Sequence, residues 1–464
     1  MSKERIGHVP GLPPYHFANK AAGWIFMNGN IPNPTTLVQQ FAEVLRNPCH
    51  FDPAVDAERR VTLVTAAFDK GHELHDRHLI GDFEAIGIDA GWEGGYPTRV
   101  RNLSVWHSFK AWKEAEPWLY RRYTEKQDAI LAIKEDYHAK MARYVDRAVD
   151  LLGGLVSDYP ELGLFELYHV DDWTPDTSTE RSPTAPDNEV VARALDRLRG
   201  RGEDVARARE LRHHIDHLVF KDSEVLAACK AIEDHFRRAS GIDRSELYLA
   251  QRERLWKTLL ESGTIFIYGG RVHVLMNRLR FYDLHEAIRE AVKRGTNVFG
   301  ISAGSIIQSD TFSIALADAP SGGHQVAADE GVGTVRGVRI FPHAHDYHPY
   351  MRTGDRNELS FVALRHPNSV AVGLNQASVL LKESYLCAED GEVYQRYSSV
   401  GDDPVLVFGP RGCRHEMRKG DQLLLPGTRA FAGHVQLARR EELEELEWVC
   451  LSGGPGRGGM GPGE

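Results

Sequence analysis

The 464-residue chain is 42% apolar and 26% charged, ordinary values for a folded protein, and no apolar run approaches the roughly 18 residues of a membrane-spanning helix. Its formal charge of -10 argues against nucleic acid as the main partner, because phosphate binding needs a concentrated basic face. The length exceeds that at which one hydrophobic core usually stops growing, so one elaborated domain or two domains are expected.

The N-terminal Met1–His8 is polar. The five cysteines (Cys49, Cys229, Cys387, Cys413, Cys450) are scattered without a close pair, which predicts free thiols and a cytoplasmic setting. Gly23–Asn30 reads as an apolar strand ending in a Gly/Asn turn, and Pro34–Leu45 has helical spacing. The unit repeats in the β-rich run Arg60–Ala67 and an amphipathic helix over His72–Ile88, with a third strand at Val100–Trp106. Near-continuous apolar strands alternating with helices predict an α/β fold, a mostly parallel sheet with helices on both faces.

Residues 107–250 lack a convincing buried strand and carry helical spacing at Ile130, Ile133, Tyr137, Met141, Tyr144, Val145 and Ala148, which marks a large helical insertion. Its Asp171–Pro186 stretch, rich in Pro, Ser, Thr and Asp, reads as a loop. The α/β pattern resumes in the strand Thr264–Gly270, a helix over Leu284–Arg294 and the strand Thr296–Gly300. Further strands are predicted at Gly337–Phe341, Val370–Gly373, Ala377–Leu381 and Val405–Phe408. The chain therefore divides into a first core part (1–106), the insertion (107–250), a second core part (251–412), an extension (413–451) and a Gly/Pro-rich tail (452–464) expected to be disordered. The Glu441–Glu447 run within the extension reads as a solvated helix face.

Gly300-Ile301-Ser302-Ala303-Gly304, between an apolar strand and a helical start, has the pattern of a nucleophile elbow, which lifts a serine hydroxyl off the sheet edge. The Ala303 N–H at the start of that helix is a candidate oxyanion donor. A second is Gly270 in the Gly269-Gly270 turn, provided the two loops are neighbours. A serine also needs a base, and His343, His345 and His348 compete for that role.

Tyr268-Gly269-Gly270 followed by a helix and then Asn297–Ser305 resembles the peptidase E and cyanophycinase family of serine peptidases. So do Asp346-Tyr347-His348 with Arg352 downstream, and the strand Val372-Gly373-Leu374-Asn375-Gln376. The resemblance implies a class I glutamine amidotransferase-like (flavodoxin-like) fold, Ser302 as nucleophile and His348 as base. It implies a small peptide or aspartyl-containing amide, β-aspartyl linkages included, as substrate. The acid behind the histidine is less settled, because Gln376 stands where cyanophycinases carry glutamate, and an uncharged amide holds an imidazole poorly. Asp318, 16 residues after the serine, is the peptidase E-like alternative, and Asp346 a further one, also placed to bind substrate. Arg271 and Arg352 are candidates to bind a substrate carboxylate.

This reading needs no cofactor and no metal, and a homodimer is the default assembly. Three alternatives stay open: an inactive or weak regulatory module on the same fold, an α/β-hydrolase esterase, and a metal-dependent hydrolase using His343, His345 and His348.

Overall fold

The computed structural model of the chain describes residues 6–7, 15–16, 20–29, 34–67, 76–93, 96–173, 188–315, 325–343, 363–365, 369–386, 393–408, 414–424 and 449–451. Its centre is a parallel sheet. Strands β1 (Ile25–Asn28), β2 (Val61–Val64), β3 (Val100–Asn102), β4 (Thr264–Ile267) and β5 (Asn297–Ile301) lie in the order β1-β5-β4-β2-β3, every pairing parallel. Residues of alternate parity face opposite sides of a strand, and here both sides are apolar. Phe26, Phe266 and Phe299 stack in a row on one face, with ring centroids 4.2 and 5.3 Å apart. Phe41 and Phe83, from flanking helical segments, close over them. Ile25, Met27, Ile265, Ile267 and Val298 face the other side, toward the insertion.

The third strand is shorter than its apolar pattern suggested. Ser104 takes a left-handed conformation, φ 56°, its N–H bonded to Asn102 Oδ1, and helix α1 (Val105–Ala115) starts at once. Helix α2 (Pro117–Asp158) and helix α3 (Gly202–Ser240) then form a long antiparallel pair, the longer of them roughly 60 Å at 1.5 Å per residue. Their pairing is fixed by Lys126–Glu233, Tyr137–Asp222, Arg147–Glu210 and Tyr159–Asp204 contacts. All described elements from Val105 to Leu260 are helical. Helices α4 (Val272–Phe281) and α5 (Leu284–Lys293) return the chain to the sheet.

After β5 comes a four-residue helix, α6 (Ala303–Ile306), and an antiparallel hairpin of β6 (Thr311–Ala315) and β7 (Gln325–Glu330). The strands that follow divide between two sheets, which apolar runs alone cannot foretell. Strands β8 (Val338–Pro342) and β9 (Val370–Leu374) pair in parallel in a separate four-stranded sheet with β12 (Val405–Phe408) and β13 (Arg414–Met417). Strands β10 (Val379–Leu386), β11 (Val393–Ser399), β14 (Gln422–Leu424) and β15 (Val449–Leu451) instead extend the main sheet antiparallel beyond β1. The expected Gly/Pro-rich tail, the Glu441–Glu447 run and most of the Asp171–Pro186 loop lie outside the described residues. No helix among the described residues is long and apolar enough to cross a membrane.

Candidate active site

At the carboxyl edge of the parallel sheet, β5 delivers Ser302 into a sharp turn with φ 50° and ψ -110°. A side chain bearing a Cβ rarely adopts such dihedrals, so surrounding bonds must hold the serine there. They do: its N–H donates to the Asn28 carbonyl at 3.0 Å, and its own carbonyl accepts from Ser305 and Ile306 N–H at 2.9 and 3.0 Å. The Ser305 hydroxyl lies 2.8 Å from both the Asn28 and the Gly300 carbonyl oxygens and ties the two limbs of the turn together.

The flanking glycines serve close approach rather than positive φ. A Cβ on Gly300 would lie 2.6 Å from the Gly304 carbonyl oxygen, and one on Gly304 would lie 2.2 Å from that of Ile267. The Gly269-Gly270 turn is indeed the neighbour of the elbow. A Cβ on Gly269 would come within 3.0 Å of Ser302 Cβ, while Gly270, at φ 133°, runs against the Ala67 carbonyl. Ala303, buried, opens α6, so its N–H is among those a helix leaves without an internal acceptor. The phenol of Tyr268, just before the turn, is pushed well above its ordinary range by burial and stays protonated at neutral pH.

Opposite the serine stands His343. It follows β8 directly, holds φ 61°, and places Nε2 3.1 Å from Ser302 Oγ. This is the geometry in which an unprotonated Nε2 accepts the hydroxyl proton. Of the three histidines that competed for the role, His343 is the one brought to the serine among the described residues; His345 and His348 lie outside them. So do Asp318, Asp346 and Arg352. Among the described residues no group of three or more His, Cys, Asp or Glu side chains is arranged to hold a metal ion.

Gln376 is exposed on the turn after β9, the strand paired with β8, where Leu374 lies opposite Pro342, the residue before His343. Its carbonyl accepts from Asn28 Nδ2 at 3.1 Å, and the same amide donates to the Ser378 carbonyl at 2.9 Å. Asp403 steadies the turn by accepting the Ala377 N–H. Asn28 thus holds the elbow through its backbone and the Gln376 turn through its side chain. In the sequence alone it stands only as a residue of the Gly/Asn turn. Arg271, exposed, precedes α4 next to Gly270, and its N–H donates to Ala67 at 3.4 Å.

No curated protein matches the chain. A peptidase from an acI-B1 Actinobacterium, known from its crystal structure, aligns with 88% of this chain and 98% of its own at 11% identity and a TM-score of 0.39, too low to bear on function. The model of peptidase family S51 matches residues 225–358, a stretch that includes the Gly-Gly turn, the elbow and all three competing histidines. That match spans less than a third of the chain and makes this stretch similar to peptidase family S51, in line with the resemblance carried by the elbow and the Gly-Gly turn.

Proposed function

We propose that the chain hydrolyses a small peptide or an aspartyl-containing amide, β-aspartyl linkages included, through an acyl-enzyme on Ser302. The observation that carries this is the 3.1 Å approach of His343 Nε2 to the hydroxyl of a serine held at φ 50°. Ser302 Oγ attacks the carbonyl carbon as His343 Nε2 takes its proton, and the Ala303 and Gly270 N–H groups receive the oxyanion. When the tetrahedral species collapses, the C–N bond breaks and His343 returns the proton to the leaving amine. A water then attacks the ester with His343 again as base, and the Ser302 hydroxyl is restored. Asp318, Asp346 or the uncharged Gln376 orients the imidazole, and Arg271 and Arg352 are the carboxylate-binding candidates. No cofactor is required.

Gln376 favours a second reading, a regulatory module that kept the turn and lost turnover, because replacing a triad acid by its amide costs about four orders of magnitude in a serine protease. Labelling with a fluorophosphonate probe decides between them. The wild-type chain should label on Ser302, Ser302→Ala and His343→Gln should not, and His348→Gln should. An unlabelled wild type would establish the inactive module, and loss of labelling in His348→Gln but not His343→Gln would move the base to His348.

A further inference from the structure

Two buried ion clusters join the helical insertion to the chain on either side of His343. In the first, Asp329 of β7, 4% exposed, accepts from Lys134 Nζ of α2 and Arg280 Nη2 of α4, both at 2.7 Å. In the second, Arg365, 2% exposed, grips Asp222 of α3 with both arms of its guanidinium, Nε to Oδ2 at 2.6 Å and Nη2 to Oδ1 at 2.7 Å. The Tyr137 hydroxyl of α2 donates to the same carboxylate. Lys134 and Tyr137 are three residues apart, so both clusters spring from one face and one turn of α2.

The two core residues so held, Asp329 and Arg365, stand 14 residues before His343 and 22 after it, and Ala363, two residues before Arg365, packs in one buried cluster with Phe341, two residues before His343. Between Asp329 and His343 the chain is strapped to the elbow helix and the turn after it. Val332 N–H donates to Ile307, Gly333 to Ser309 and Val335 to Gln308. The Gln308 side chain in turn bonds the Gly304 carbonyl, inside the Gly-x-Ser-x-Gly turn. A displacement at Asp329 is therefore passed to both members of the Ser302–His343 pair. Buried ion pairs add little net stability over apolar residues of the same volume, but their forked, fixed geometry defines position well.

We propose that the Lys134–Tyr137 turn of the insertion, with Asp222, is a positioning device for the catalytic pair, holding the His343 segment through Asp329 and Arg365. The proposal rests on the reading of Ser302 and His343 as nucleophile and base. Its test is the rate of fluorophosphonate labelling of the full chain, measured well below the thermal midpoint of each variant. Lys134→Met and Arg365→Lys should slow labelling about 10- to 100-fold, the scale on which small misplacement costs rate. Lys134→Arg should restore most of it. Lys126→Met, which breaks the Lys126–Glu233 pair elsewhere on α2, should stay within about twofold of wild type. Wild-type rates in folded Lys134→Met and Arg365→Lys, or equal slowing by Lys126→Met, would overturn the positioning role alone. An unlabelled wild type would overturn the Ser302–His343 reading and this proposal with it.

Discussion

His343 Nε2 stands 3.1 Å from Ser302 Oγ, and both residues hold backbone dihedrals in the positive-φ half of the map, 61° and 50°. Four other described non-glycine residues share that property, so a pair facing each other across one hydrogen-bond distance is not a background feature of the chain. Strain of this kind costs about 1–3 kcal/mol per residue and persists where the surroundings over-determine it. Ser302→Gly should therefore raise stability by about 1 kcal/mol while abolishing labelling. Ser302→Ala, which keeps the Cβ, should abolish labelling with no such gain. Urea denaturation of the two variants beside wild type checks this, and equal stability of both would show that the turn is unstrained.

Gly269 tests the wall behind Ser302. A methyl group there would meet Ser302 Cβ at 3.0 Å and the Ile301 carbonyl oxygen at 3.2 Å, contacts that neither backbone can relieve without moving the elbow. Gly269→Ala should cost roughly 1–3 kcal/mol as an overpacked site. Its labelling rate should fall by about tenfold or more, because the displaced Cβ carries the Ser302 hydroxyl. A chemical melt and a labelling time course separate the two effects.

Asn28 joins β1, the elbow and the Gln376 turn, and its side chain is fully buried. Asn28→Ala removes two donors from carbonyl groups of residues 376 and 378, at a cost of roughly 2 kcal/mol. If the turn helps to orient His343, labelling by Asn28→Ala should slow as well. A variant that lost stability but labelled at the wild-type rate would show that the Gln376 turn has no part in the chemistry.

The parallel core was legible because its strands are apolar on both faces, and the elbow because Gly300 and Gly304 must approach backbone too closely to bear a side chain. The choice among His343, His345 and His348 was not. It depends on how far β8, in a second sheet, carries the chain toward β5, and local spacing says nothing about that distance. Asn28 escaped notice for the same reason, since its partners at residues 376 and 378 are some 350 positions away in sequence. Ser104 shows the reverse case, in which a local left-handed residue ends a strand that the apolar pattern would have continued through Trp106.

Acid should loosen the fold through His285. Burial, then the nearby Arg280 and Arg289, push its imidazole down to about 4, against the opposing pull of Asp283. The unfolded chain, with an ordinary histidine near 6.5, binds this proton first, so protons favour unfolding between those two values. Stability from this group is complete above about pH 6.5, falls as pH drops toward 4, and changes no further below that. A shift of this size corresponds to about 3 kcal/mol. Asp329, held down at about 2 because Arg280 and Lys134 outweigh its burial, behaves as a carboxylate of depressed pKa, whose contribution is lost only from about 4 downward. The two groups thus occupy successive windows. Unfolding free energies from urea denaturation at pH 7.5 and 4.5 should differ by most of the His285 contribution in wild type, and that difference should be smaller by about 2.5 kcal/mol in His285→Asn. An unchanged difference in that variant would assign the acid sensitivity to other histidines.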